Sequence, residues 1–576
     1  MMYPQNPAAA PRFTRHARAL AAVATLTAIA AVTPHAAAQT VPDAGSLLQQ
    51  IKPTLPPVPS SNGTGLTVMP EASAALPASA PFVVQRIEIT GNQRVATATL
   101  HALVADAEGS SLDFPALGRL AGRITAYYRA QGYPLARALI PAQTIRDGVV
   151  VVQVVEARYG KVQLDNQSQV SDALLQSTLS GLRSGQDITQ AEMDRGLLLL
   201  SDIPGVAVNA TLRPGDAVGS SDLQVDVGAA PAVTGYGLAD NYGSSYTGRA
   251  RLSGAVLVQN PLHHGDTFTA SAVSSGRNLN YGRVAYESLL NGQGSRVGGA
   301  YSALDYTLGD ALSALQAHGQ AEVLSLWGRH PLLRSRQTNL YAQLQYEHLQ
   351  LRDRVDASAS RTDRHLDNWT ASLSGDIRDA LLAGSINTWS VGGSGGRLVY
   401  DDAAAAQADA ASANTHGAFA KMNASLTHWQ GLGRSGTLYL AYSGQWAQSN
   451  LDPSQKQAVG GPGSVRAYTV GALSGDNVQQ LTAEYRYALG NALGAVLQGQ
   501  TQLIAFADVA RVEVNKSPWV AGENRATLSG AGVGVNWFGP QQWSVKASVA
   551  TPLGSKSTLL ENTSTTRGWV EVSKRF

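Results

Sequence analysis

The chain has 576 residues, a net charge of +2 and no cysteine. It is too long for one ordinary compact domain. Near-neutrality argues against a nucleic-acid partner, and the lack of cysteine excludes disulfides, thiolate metal sites and Cys nucleophiles. With 58 glycines and only 15% charged residues, the composition fits a turn-rich β protein better than a helical membrane protein or a disordered chain.

Residues 1–38 read as a secretory signal. Arg12, Arg15 and Arg18 form a basic start, Ala19 to Val32 is uncharged and mostly apolar, and Ala36-Ala37-Ala38 supplies small residues for cleavage. Beyond it, no uncharged apolar run approaches the roughly 18 residues that a spanning helix needs. Residues 39–80 are expected to be a short amphipathic helix followed by a linker. In 43–52, Asp43 can cap the helix, and Leu47, Leu48 and Ile51 share one face. A lone helix on a tether either docks or frays, and this stretch alone leaves both open. Residues 53–80 are rich in Pro, Ser, Ala and Gly.

Residues 81–157 read in the order β-α-α-β-β. Phe82 to Thr90 is expected to be one strand and Gly91-Asn92 a turn. Helical spacing follows at 97–106 and 113–130, then strands at 135–141 and 148–156. Residues 158–229 repeat this order. A strand at 161–166 precedes a helix that Ser171 can cap. Thr189 to Glu192 forms a capping box before a second helix, and strands at 206–213 and 222–228 complete the unit.

From 230 to 576 helical periodicity largely disappears. Leu340, Ala342, Leu344 and Tyr346 alternate with Tyr341, Gln343, Gln345 and Glu347. Leu481, Ala483, Tyr485 and Tyr487 alternate with Thr482, Glu484 and Arg486. A soluble sandwich would also alternate. Aromatics near strand ends on the apolar face, with Gln, Glu, Arg and Lys on the other, point to a barrel in lipid with a wet lumen. Closure also removes edges that lipid would not tolerate. At roughly 20 residues per strand with its loop, about 346 residues allow on the order of 16 strands.

The two modules after a signal resemble tandem POTRA domains, and Ile87-Glu88-Ile89-Thr90-Gly91-Asn92 is similar to the usual POTRA start. In that family the modules bind client polypeptide partly by adding a strand to an exposed sheet edge. The fold class is therefore expected to be multidomain: two α+β POTRA modules followed by a transmembrane antiparallel β-barrel. Val465-Arg466-Ala467-Tyr468, after a Gly/Pro-rich loop, resembles the Val-Arg-Gly-Tyr/Phe loop motif of the same transporter superfamily. Phe506-Ala507-Asp508-Val509-Ala510 resembles its Phe-x-Asp-x-Gly strand motif. The resemblance implies that the loop tucks into the lumen and that Arg466 pairs with Asp508. Strand parity independently turns Phe506 and Asp508 inward. Ala467 and Ala510 replace the motif's glycines. Asp240 to Gly243 reads either as the family's first barrel hairpin or as a simple Asn/Gly turn. The terminal Phe576 resembles the signal that outer-membrane barrels present to their assembly machinery.

Over essentially the whole mature chain the resemblance is to two-partner secretion transporters, the TpsB class. It implies recognition and export of one large exoprotein across the bacterial outer membrane, without ATP. The modules would lie in the periplasm, helix 43–52 would plug the barrel, and no cofactor would be involved. A barrel-assembly factor of the same superfamily normally carries more POTRA modules and lacks the plug. A passive porin needs no such modules, and a secreted adhesin would lack the Arg loop and terminal strand signal. The 11 histidines show no metal-ligand spacing, and neither a nucleophile elbow nor a phosphate loop occurs, so no enzymatic activity is expected.

Overall fold

A computed structural model describes residues 41–51, 60–69, 77–490, 498–554, 557–560 and 566–576. The expected signal at 1–38 lies outside these residues.

In the first module Arg86–Thr90 runs parallel to Val149–Val155, which pairs antiparallel with Arg137–Leu139. Period-two alternation buries Ile87 and Ile89 and exposes Arg86, Glu88 and Thr90. The apolar face receives Leu117, Ala121, Ile124 and Tyr128 of the helix Phe114–Ala130. That helix starts where Asp113 accepts a hydrogen bond from the Ala116 N–H at 2.8 Å, with Pro115 in the first turn. The single strand expected from Phe82 to Thr90 is in fact two. Phe82–Val83 pairs with Ser111–Leu112, and the chain turns at Val84–Gln85, where the Gly148 carbonyl accepts from Gln85 N–H at 2.8 Å.

The second module has the same order. Arg158–Asn166 runs parallel to Ser220–Ala229, which pairs antiparallel with Val206–Pro214. Helices Asp172–Thr178 and Gln190–Ser201 cover one face. Thr189 caps the second helix, accepting from Glu192 N–H at 3.3 Å. Ser171 makes no side-chain cap bond; its N–H instead donates to the His263 carbonyl of a barrel turn at 3.1 Å.

Among the described residues sixteen antiparallel strands form a closed barrel, sealed where Val233–Asp240 pairs with Arg567–Arg575. Phe576 extends the seam by exchanging two backbone hydrogen bonds with Gly235, at 2.9 and 3.0 Å. Leu324, Leu344, Trp369, Leu481, Tyr485 and Val549 are among the outward side chains left exposed for lipid. Between 317 and 432 the strands reach 16 to 20 residues, well past the roughly 9–11 that a bilayer requires. The wall therefore rises above the membrane at the end away from the modules. At the near end Arg334 clasps Asp202 of the second module with bonds of 2.7 and 2.8 Å. Asp240 ends its strand paired with Arg251 at 2.9 Å and accepts from the Tyr242 N–H at 2.8 Å. His263 and His264 lie in the turn 260–266.

Two further features depart from the expectations. The lumen is not uniformly polar: Leu349, Leu351, Leu366 and Leu398 face inward and are buried. The linker also contains a three-residue strand, Leu66–Val68.

Candidate functional site

The barrel lumen holds two inserted segments. The first is the long connection 448–476. Its short strands Gln457–Val459 and Leu473–Gly475 pair antiparallel and carry the tip into the barrel. Gly460 and Gly461 adopt φ of +103° and +96°. A Cβ on Gly460 would lie 2.2 Å from the Thr469 carbonyl oxygen, so this turn requires glycine. Val465, Ala467 and Tyr468 are all buried.

Arg466 meets Asp508 in a forked contact, Nε to Oδ2 at 2.8 Å and Nη2 to Oδ1 at 2.7 Å. Its own N–H also donates to Asp508, at 3.1 Å. The guanidinium lies over the Phe506 ring, 3.4 Å from the centroid. A planar fork suits a carboxylate, and burial limits screening. Sequence reasoning missed three partners. Glu484 accepts from Arg466 Nη1 at 2.6 Å and is itself held by Arg486 at 2.5 Å. Trp569 Nε1 donates to the Arg466 carbonyl at 2.7 Å. Glu484 and Arg486 sit on the polar parity of their strand, which was the available signal. Nothing local marks Trp569.

The Ala467 methyl has a specific home. A Cβ built on Gly530 would lie 2.4 Å from the Ala467 Cβ, so the missing side chain at 530 makes room for the extra methyl at 467. Ala510 is buried in the same apolar cluster.

The second insert is the helix Ala44–Ile51. Asp43 caps it, accepting from Ser46 N–H at 2.8 Å. Leu47 and Leu48 are each 1% exposed and pack with the inward leucines of the wall, and Ile51 is partly buried beside them. A Cβ on Gly45 would sit 2.7 Å from Ser454 N, so the helix lies directly against the inserted loop. Arg364 ties these parts together. Its Nη2 donates to Asp43 at 2.5 Å, its Nη1 to Asp353 of the neighbouring strand at 2.6 Å, and its Nε to Asp452 of the loop at 2.6 Å. Asp353 also accepts from the Ala44 N–H at 2.8 Å and the Tyr306 hydroxyl at 2.7 Å. No group of His and acidic side chains among the described residues is arranged to hold a metal ion.

A closed sixteen-strand barrel carrying an inward Arg loop and helix, with α/β modules at one mouth, defines an outer-membrane transporter whose modules lie in the periplasm. A model described as POTRA domain, ShlB-type, matches residues 82–157. A second, described as haemolysin secretion/activation protein ShlB/FhaC/HecB, matches residues 219–537. The chain belongs to this ShlB/FhaC/HecB family, and it secretes a partner exoprotein by two-partner secretion. The heme/hemopexin transporter protein HuxB of Haemophilus influenzae is 27% identical over 547 residues, spanning 93% of this chain and 95% of that protein. The fold is similar to that of CdiB from Escherichia coli, with a TM-score of 0.68 at 20% identity over 88% of this chain and 93% of that one. BamA from Haemophilus ducreyi lacking POTRA domains 1–3 has a TM-score of 0.50 at 13% identity, covering 86% of this chain and 100% of that one.

Proposed function

We propose that the lumen is the export path of an unfolded exoprotein, and that the helix Ala44–Ile51 closes it at rest. The observation that carries this reading is the seating of Leu47 and Leu48 among inward leucines while Asp43 meets Arg364. Leucines lining a pore that passes only water and ions would be costly to leave bare; the docked helix covers them. The POTRA modules receive the client on the periplasmic side. The Val465–Tyr468 loop, fixed by Arg466 to Asp508, shapes the path from within. Phe576 serves the barrel-assembly machinery as a terminal signal, and the exposed belt of leucine, valine and aromatic residues contacts outer-membrane lipid. Transport uses no ATP. The assembly-factor reading is weaker, because a helix that fills the lumen favours a gated channel.

The test is conductance in planar bilayers. The wild type is expected to conduct poorly, and deletion of residues 39–60 to raise conductance several-fold. Unchanged conductance after deletion sinks the plug.

A further inference from the structure

The sheet of the second POTRA module has a strand that the module does not own. Leu66–Val68 of the linker lies parallel to Val206–Pro214, with Leu66 opposite Ala210, Thr67 opposite Thr211 and Val68 opposite Leu212. The Gly65 carbonyl accepts from Ala210 N–H at 2.9 Å, and Met69 N–H donates to the Leu212 carbonyl at 3.0 Å. The added strand takes the outer place in the sheet, so without it Val206–Pro214 is an open edge.

The occupant is light for the edge that it covers. Three residues pair along a strand of nine. Leu66 alone packs on the module's core, whereas Val68 and Met69 are 45% and 50% exposed. In the first module the corresponding edge strand is only Arg137–Leu139, and no strand among the described residues covers it. The long edge is covered and the short one is bare. Covering an edge guards against unwanted pairing, but a permanent cover would be expected to bury more of its own side chains.

This cover is also tethered to the barrel. Ser60 N–H donates to Asp376 at 2.9 Å, its hydroxyl lies 3.1 Å from the Tyr341 hydroxyl, and its carbonyl accepts from Arg378. The Thr64 hydroxyl accepts from Arg336 at 3.1 Å, and Arg336 also reaches Asp194 of the module at 2.8 Å. The same chain leads back to the helix in the lumen.

We infer that residues 66–68 are a built-in stand-in for an extended segment of the client, and that client pairing along Val206–Pro214 expels them and loosens the linker. The client's identity as occupant rests on the secretion reading above; the capacity of the edge does not. Backbone pairing at an edge asks little of the incoming sequence, which suits an unfolded polypeptide of varied composition. Because strand and client exclude each other, client binding and linker docking oppose each other by the same factor in both directions.

The test uses the full-length protein in nanodiscs and a fluorescein-labelled peptide of residues 61–70 as the strand probe. Gly65 has φ of +61°, and a Cβ there would lie 2.3 Å from the Val208 carbonyl oxygen, so Gly65→Val unseats the strand without altering module, barrel or helix. This variant is expected to bind the probe at least tenfold more tightly than the wild type. In Thr67→Cys/Thr211→Cys, made in a chain with no other cysteine, oxidation should abolish probe binding and reduction restore it. Saturating probe should raise the wild-type open probability several-fold. Equal binding by wild type and Gly65→Val, or undiminished binding by the oxidised pair, overturns the edge assignment. An edge that binds probe while open probability stays fixed overturns the coupling. A failed plug deletion beside normal probe binding would count against the plug reading and leave the edge assignment standing.

Discussion

Arg466 and Arg364 are both buried in the lumen, yet they are built in opposite ways. For Arg466 the inserted loop brings the cation and the barrel wall supplies the carboxylates. For Arg364 the wall brings the cation, while the helix, the loop and a neighbouring strand each supply an aspartate. Around Arg466 the charges balance, since Glu484 and Asp508 face Arg466 and Arg486. Around Arg364 one guanidinium faces three carboxylates. A balanced cluster stacked on Phe506 makes a permanent clasp. An acid-rich cluster whose members belong to separable segments makes a latch. On the proposed plug reading, the two contacts divide the work: one holds the loop, the other releases the helix.

The largest effect is expected from Arg466→Ala. Stranding Asp508, while Glu484 keeps Arg486, should cost about 3–5 kcal/mol of loop docking and abolish secretion, while heat-modifiable migration in gels shows the barrel still assembled. Normal secretion by that variant would show that the clasp is dispensable.

Arg364→Ala comes next. It leaves three aspartates facing one another, again at about 3–5 kcal/mol, but the loss falls on the helix. Conductance should rise toward that of the 39–60 deletion.

Gly530→Ala tests the fit at the clasp. The new methyl meets that of Ala467, and overpacking of this kind costs about 1–3 kcal/mol. Ala467→Gly in the same chain should restore thermal stability, and failure of that rescue would separate the two positions.

The smallest effect is a pH dependence of the latch. Burial pushes the Asp43 carboxyl up from 3.8 to about 6, against the pull of Arg364, with Asp353 and Asp452 adding to the rise. The docked helix thus holds this proton more tightly than the free one. Docking gains most below about pH 4 and loses that gain as pH rises through 6. Open probability should be lower at pH 5 than at pH 7.5, and Asp43→Asn should flatten the difference.

How much of this was legible follows from the same comparison. The clasp could be read because its loop is marked by glycines and period-two alternation turns Phe506 and Asp508 inward. Glu484 carried only its polar parity, and Trp569, which reaches the Arg466 carbonyl from the last strand, carried no local mark at all. The latch was hidden among like charges: Arg352, Arg354, Arg361 and Arg364 crowd one hairpin. Only the register, with Arg364 opposite the inward Leu351 and Arg352 opposite Asp363, shows which one enters the lumen. The inward leucines broke the polar alternation at Leu349 and Leu351, a signal that makes sense once a helix is known to cover them. The Leu66–Val68 strand is too short for any periodicity to reveal. The architecture itself was readable, because two repeats of β-α-α-β-β and long alternating segments each leave a periodic trace.

The division of work between the two arginines is tested most directly by single-channel conductance of the wild type, Arg364→Ala and Arg466→Ala side by side. Arg364→Ala is expected to open to the level of the 39–60 deletion while Arg466→Ala stays nearly closed. An Arg364→Ala channel as closed as the wild type would contradict that division.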